Sequence, residues 1–149
     1  MIEISNRTKS QINLTAVKKA VESILLFYKQ PKSYVSVVFI GDKLMQQLNK
    51  EWRHKDKVTD VLSFRSDDSE FIEADFLGEL FIDFKQIERQ AKELNHSVKY
   101  ELIFITVHGV LHLLGHNDDT DAESKAMLAL GEKLIKKFSL AWYEIKKIG

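Results

Sequence analysis

Residues 97–119 read SVKYELIFITVHGVLHLLGHNDD and are the most informative segment of the chain. Apolar side chains occur on nearly every side of the helix that residues 98–114 would form, a pattern typical of a helix buried in a protein core. Ser97 can cap the start of this helix, and Gly115 can end it. The stretch therefore predicts a central buried helix, followed by a point where the chain folds back.

Shorter patterns on both sides of this helix predict the rest of the fold. Runs rich in β-branched and aromatic residues predict strands at residues 1–4, 34–40, 60–64 and 77–82. Apolar side chains at helical spacing predict amphipathic helices from residue 13 or 15 to about 29, from 42 to at least 52, from 83 to about 94, and from 121 to about 138. This order predicts an α+β fold, a small mixed sheet of about four strands packed with helices, in one domain over residues 1–149.

Three further expectations concern individual segments. The acidic run at residues 66–76 contains no basic side chain and is typical of a solvated loop. Trp52 shares its helical register with Leu44, Met45 and Leu48, so we expect its ring to pack in the core. The tail adds the apolar side chains Trp142, Tyr143 and Ile145.

The composition limits the chemistry that the protein can perform. The chain has no cysteine, which excludes disulfides, a thiol nucleophile, cysteine-bound zinc and iron–sulfur clusters. A metal ion would therefore be held by His, Asp or Glu. The first residues lack the apolar core of a signal peptide, and no apolar run approaches the roughly 20 residues that a membrane span needs. We therefore expect a cytoplasmic protein that does not interact with a membrane.

Charged side chains balance in number but are separated along the chain. There are 22 basic and 22 acidic residues, which gives a formal net charge of zero. Basic side chains gather at residues 50–57 and 133–147, and acidic ones at residues 67–79 and 118–123. The neutral total argues against indiscriminate attraction to polyanions, but it does not exclude a nucleic-acid partner.

Three of the five histidines lie within nine residues, at positions 108, 112 and 116. His108 and His112 are four residues apart, so their rings project from one face of the predicted helix. Imidazoles are unfavourable in an apolar helix unless something binds them. After Gly115 the chain can return with a third ligand and leave a position open for water. An alternative is a pair of core histidines that are hydrogen-bonded to backbone or carboxylate groups.

The third ligand remains open at this point. The chain beyond Gly115 offers His116, Asp118, Asp119 and Asp121 at reachable distances. The pattern also differs from the HExxH motif of zinc peptidases, because Gly109 stands where those enzymes carry a general-base glutamate. A peptidase is therefore a less favoured interpretation.

Two motifs resemble the YbeY-type proteins, metal-dependent single-strand endoribonucleases of ribosomal RNA maturation. Residues 108–115, HGVLHLLG, match the metal motif of that family, and residues 53–64 match a second block, R-x-K-D-x-x-T-D-V-L-S-F. The strand motif of the family is similar to LGEL at residues 77–80, with Glu79 in place of aspartate. Arg65 stands where the family usually has proline. The motifs occur in the family's order over about residues 44–132.

The resemblance implies a ligand set and a metal. The family's third ligand is a histidine six residues after the second, and this position is Asp118 here. The resemblance thus implies His108, His112 and Asp118, with His116, Asp119 or Asp121 as alternatives for the third ligand. Two histidines and a carboxylate suit Zn²⁺ first, and they also suit Ni²⁺, Fe²⁺ or Mn²⁺.

The resemblance also implies a mechanism and partners. A divalent ion with three protein ligands lowers the pKa of its water to about 7, and that water attacks phosphorus or assists the neighbouring 2′-OH. Arg53 is the candidate to stabilise the phosphoryl charge; otherwise it is a solvated arginine at a helix end. The implied partners are single-stranded ribosomal RNA and the ribosome or its proteins.

Neighbouring residues and competing functions complete the set of hypotheses. Asp60 is expected either to orient a ligand histidine or Arg53, or simply to begin a strand. Residues 50–57 interleave basic and aromatic groups that can contact phosphates and stack bases. His54 and His96 are expected at the surface. The competing functions are a metal-dependent hydrolase of another substrate, such as a peptide, and a ribosome-associated RNA-binding factor with a structural metal.

Overall fold

The computed structural model describes residues 1–66 and 75–140 of the chain. Most of the acidic run and the apolar residues of the tail lie outside these residues, so the expectations for them stay predictions. The elements follow in the order β1 (Ile2–Asn6), α1 (Leu14–Phe27), β2 (Tyr34–Ile40), α2 (Asp42–Arg53), β3 (Val61–Arg65), β4 (Phe76–Asp83), α3 (Phe84–Leu94), α4 (Val98–Leu113) and α5 (Asp121–Lys137).

The four strands form one mixed sheet in the order β1-β2-β4-β3. β2 pairs in parallel with both β1 and β4, and β3 pairs with β4 in the antiparallel sense. Val37, in the middle of β2, pairs with Ile4 on one side and Leu80 on the other. The predicted α+β fold with a four-stranded mixed sheet is confirmed, and β3 is an edge strand.

Helix α4 occupies the centre of the molecule, as its apolar sequence predicts. The Ser97 side chain accepts a hydrogen bond from the Tyr100 amide and caps the start of the helix. At the other end, the Gly115 amide donates to the carbonyl of His112 and the His116 amide donates to that of Leu111, both at 3.0 Å. Gly115 has a φ of +100°, which favours glycine. This pair of bonds is a Schellman motif, and it turns the chain back beside the helix.

Helix α4 lies close against the sheet at Gly109. A Cβ atom at this position would come within 3.0 Å of the Leu80 side chain on β4. Position 109 therefore faces the sheet and has no room for the glutamate of a peptidase motif. No helix in residues 1–66 and 75–140 combines the length and the hydrophobicity needed to span a bilayer.

Helix α2 covers the opposite face of the sheet, and here one expectation is wrong. Met45 is buried in a small cluster with Val38, Ile40 and Leu62. The Trp52 side chain is 55% exposed, so it does not pack in the core. Trp52 lies in the last turn of α2, where its ring meets Phe64 of the edge strand β3 edge to face. A helical register identifies a face of the helix, but it does not say how far the underlying sheet extends.

Asp83 is a buried carboxyl group between α2 and α3. Its side chain is fully buried and accepts a hydrogen bond from the Gln86 amide, which caps α3. It lies next to Asp42, whose carboxylate is paired with the Arg89 guanidinium. Burial first, and the neighbouring Asp42 carboxylate second, raise the pKa of Asp83 from 3.8 to about 7. Asp83 is therefore largely protonated below neutral pH.

This shift predicts a pH-dependent effect of the Asp83→Asn substitution. Because the folded pKa is raised, the stability that protonated Asp83 provides is complete below about pH 4 and is lost as the pH rises through 7. Asparagine also caps helices but stays neutral. The variant should therefore become more stable relative to the wild type by about 2 kcal/mol as the pH rises from 5 to 8. Urea unfolding at both pH values measures this gain. The exposed Asp119→Asn serves as the control, and a gain independent of pH would contradict the assignment.

Candidate metal centre and its cavity

A cavity of about 650 Å³ lies between the edge strand β3, the face of α4 that carries the histidines, and the chain after Gly115. The segment that leads from α2 into β3 contributes Arg53, Lys55 and Lys57 to its lining. Helix α4 and the return loop contribute His108, His112 and Asp118. The cavity thus brings together residues that are more than 50 positions apart in the sequence.

Three metal-ligating side chains converge in this cavity. The rings of His108 and His112 lie edge to face, with their centroids 4.8 Å apart. Oδ2 of Asp118 lies 3.7 Å from Nε2 of His108 and 3.4 Å from Nε2 of His112. One ligand atom from each of the three residues lies within 4.8 Å of the other two. In the described part of the chain, this is the group of residues whose arrangement suits a metal ion.

The chemistry of the donors fits a divalent cation. Burial lowers the pKa of His108, and the neighbouring His112 lowers it further, whereas Asp118 and Asp60 act in the opposite direction. The balance favours the neutral imidazole, which is the form that binds a metal. Two imidazoles and one carboxylate, partly open to solvent, form a donor set of the kind found in catalytic zinc sites.

The other candidates for the third ligand do not join this group, although His116 also lines the cavity. Nε2 of His116 is hydrogen-bonded to the Tyr28 hydroxyl at 3.1 Å, and the two rings meet edge to face. Tyr28 directly follows α1, so His116 is held by a different part of the fold. Asp119 and Asp121 are exposed, and Asp121 begins α5. The geometry therefore groups Asp118, and none of these three residues, with the histidine pair.

Arg53 ends α2 and lines the cavity. Its Nη2 donates to the Ser63 carbonyl at 2.8 Å, and its Nη1 donates to the Trp52 carbonyl at 3.4 Å. The guanidinium also lies over the Phe64 ring, 5.0 Å from its centroid. His54, which follows Arg53, is exposed as expected and ends the helix with a φ of +60°. The guanidinium is thus fixed on β3 with further N–H groups left for an anion.

A polar network that sequence reasoning missed lies behind the cavity. Asp60 accepts hydrogen bonds from the Val61 amide at 2.7 Å and from Nε2 of Gln90 at 3.1 Å. Gln90 also donates to Glu101, which is only 3% exposed and lies 3.2 Å from Nε2 of His96. Asp60 thus immediately precedes β3, and these hydrogen bonds tie its carboxylate to Val61 and Gln90 rather than to Arg53 or a ligand histidine.

The expectation that His96 is a surface histidine is wrong. Its side chain is 19% exposed because it pairs with the buried Glu101. The missed signal is Glu101 itself: a carboxylate within a helix that is otherwise apolar requires a partner.

Comparison with known proteins agrees with the motifs. The family described as endoribonuclease YbeY matches residues 3–139. A protein named endoribonuclease YbeY from Aster yellows witches'-broom phytoplasma is 37% identical over 145 residues, which cover 94% of this chain and 95% of the relative. Another of the same name, from Acholeplasma laidlawii, is 34% identical over 139 residues, covering 93% of this chain and 98% of the relative.

A solved structure has the same fold. The solution structure of TM1509 from Thermotoga maritima matches with a TM-score of 0.65 and 27% identity, and the match covers 96% of this chain and 92% of that one. The resemblance seen in the sequence is therefore confirmed over nearly the whole length of the protein. The chain belongs to the endoribonuclease YbeY family.

Proposed function

We propose that this protein is a metal-dependent endoribonuclease that cleaves single-stranded RNA. The observation that carries the proposal is the convergence of His108, His112 and Asp118 within 4.8 Å in a cavity that Arg53 also lines. Membership of a family whose members are named endoribonucleases gives the reaction class. We further propose that the substrate is ribosomal RNA, met on or near the ribosome in the cytoplasm.

His108, His112 and Asp118 are proposed to hold one divalent ion. Their donor set suits Zn²⁺ first, and Ni²⁺, Fe²⁺ and Mn²⁺ are the other candidates. Such an ion, when bound, lowers the pKa of water towards neutrality and acts as a Lewis acid towards phosphoryl oxygens. The residues themselves contribute a fixed geometry, because two donors lie on one buried helix and the third follows a glycine turn.

Arg53 is proposed to bind the phosphoryl group that undergoes cleavage. A guanidinium stays charged at any relevant pH and can bind two phosphate oxygens at once. The bond to the Ser63 carbonyl and the contact with Phe64 hold it in place before the substrate arrives. A donor that is already in position stabilises the charge that builds up on the phosphoryl oxygens without a reorganisation cost. Lys55 and Lys57 add positive charge for the neighbouring phosphates.

The first test is cleavage of a labelled single-stranded RNA. The metal-loaded protein should cleave it, a chelator should stop the reaction, and the duplex form should resist. Arg53→Ala should lower the rate by about 100- to 1,000-fold, because one preorganised donor to the transition state is lost. Its metal content, measured by elemental analysis, should equal that of the wild type. The matched control is Arg7→Ala, an exposed arginine outside the cavity lining.

Two outcomes would favour a different function. Turnover of peptides, with no cleavage of RNA, would identify a hydrolase of another substrate. Binding of RNA and metal without cleavage, with Arg53→Ala affecting only the affinity, would identify a ribosome-associated RNA-binding factor whose metal is structural.

A further inference from the structure

Trp52 is a large aromatic side chain that the fold leaves in water. Its ring is 55% exposed at the end of α2. Exposed apolar surface forgoes the favourable free energy of burial, and an indole is among the largest apolar groups in proteins. Exposed aromatic side chains of this kind are enriched where a protein contacts a partner. The exposure of Trp52 is therefore typical of a side chain that contacts a partner.

The ring is backed by other aromatic groups. Trp52 meets Phe64 edge to face, with the centroids 5.9 Å apart, and Phe64 meets Phe81 in the same way at 5.8 Å. These contacts restrain the indole on the edge strand and leave more than half of its surface open. A restrained ring loses little conformational entropy when a flat ligand stacks on it.

The surroundings of Trp52 indicate an anionic partner. Lys50, Arg53, Lys55 and Lys57 lie within residues 50–57, against Glu51 and Asp56, so this segment carries a net positive charge. Arg53 and Trp52 also contact the same Phe64 ring. The indole is thus a close neighbour of the guanidinium that lines the cavity. An aromatic plane beside a cation is the usual combination in sites for single-stranded nucleic acids.

We propose that Trp52 is a stacking site for an unpaired base of the RNA, next to the nucleotide whose phosphate Arg53 binds. This inference rests on the proposed function. In a duplex the base faces are already stacked, whereas a single strand can turn a base out onto the indole. The site would therefore favour single-stranded substrates without reading a sequence, because every base has an aromatic face. A protein partner is less favoured, because four basic side chains against two acidic ones lie within residues 50–57.

The test measures the affinity of the metal-loaded protein for a labelled, fully 2′-O-methylated 12-nucleotide single strand. Trp52→Leu should weaken binding about tenfold or more, as expected for the loss of one stacked base, and Trp52→Phe should recover most of the affinity. The control is Leu94→Ala, another exposed apolar side chain at the end of a helix, which should bind like the wild type. An unfolding curve for each variant checks that the fold is retained.

A second series tests the same contact from the RNA side. A single abasic site is moved along the strand, and at one position it should weaken binding to the wild type about tenfold, while Trp52→Leu should show no such step. This arm needs no protein variant to detect the subsite. If affinity is insensitive to abasic sites, or if Trp52→Leu binds as tightly as the wild type, the inference is overturned and Trp52 is free to contact a protein.

The two levels of the proposal fail in different ways. If the wild-type protein neither binds nor cleaves RNA, the proposed function itself is wrong. If the wild type cleaves RNA and Trp52→Leu matches it in both affinity and rate, only the stacking site is wrong.

Discussion

The His112→Ala variant is expected to lose RNA cleavage completely and to bind metal more than 100-fold more weakly. Loss of a residue that only hydrogen-bonds to a metal ligand already lowers metal affinity or activity about 10- to 100-fold. His112 is proposed as a direct ligand, so its loss should cost more. The substitution should spare the fold, because the ring is partly exposed in the cavity and alanine is the best helix former. Metal content by elemental analysis and cleavage of a labelled single strand measure the two losses. Retention of full activity would rule out the metal centre.

A matched pair of variants tests the third ligand. Asp118→Ala should lose the metal as His112→Ala does. His116→Ala should keep it, because the ring of His116 is bonded to Tyr28 rather than directed to the histidine pair. The exposed Asp119→Ala provides a neutral reference for a charge removed from the same loop. Loss of the metal in His116→Ala alone would overturn the assignment of Asp118.

The Gly78→Ala variant is expected to be destabilised by about 3 kcal/mol or more. Gly78 lies in β4 with a φ of +154°, and a Cβ atom there would come within 2.4 Å of the Phe64 carbonyl oxygen and 2.6 Å of the Leu113 side chain. The first of these atoms is backbone of the paired strand, so it cannot move away without breaking the sheet. The variant is expected to unfold at a clearly lower urea concentration or to be recovered unfolded.

A glycine with room for a side chain provides the control. Gly131 lies inside α5, and a Cβ atom there would be 3.6 Å from the Phe104 ring, which is an ordinary contact distance. Gly131→Ala should therefore stabilise the protein by about 0.5–1 kcal/mol, because alanine is the better residue inside a helix. If both substitutions shift the urea midpoint equally, the close approach at Gly78 is not the cause of its effect.

Sequence reasoning succeeds here where the information is local. The apolar run of α4, its serine cap and its glycine end lie within 19 consecutive residues, and the structure confirms each of them. The spacing of His108 and His112 similarly places two donors on one helical face without knowledge of the rest of the fold. The strands were also identifiable from their β-branched and aromatic side chains, although β1 extends to Asn6, beyond its expected end at residue 4.

Features that depend on distant residues could not be predicted in this way. The choice between Asp118 and His116 depends on Tyr28, which lies 88 positions before His116. Trp52 has a helical register that favours the core, but it is 55% exposed beside Phe64 of the edge strand. His96 is partly buried against Glu101, and a lone carboxylate in the sequence indicates that a partner is needed but not which residue supplies it.

The donors gather at the carboxyl end of α4, and this location polarises the cavity. The last turn of a helix carries partial negative charge, equivalent to about half an elementary charge, and the carboxylates of Asp60 and Asp118 add to it. This side attracts cations and repels a bare phosphodiester. The segment after α2, with Arg53, Lys55 and Lys57, attracts it. An RNA backbone is therefore drawn first to the α2 side, and it can bridge the cavity only once positive charge balances the end of α4.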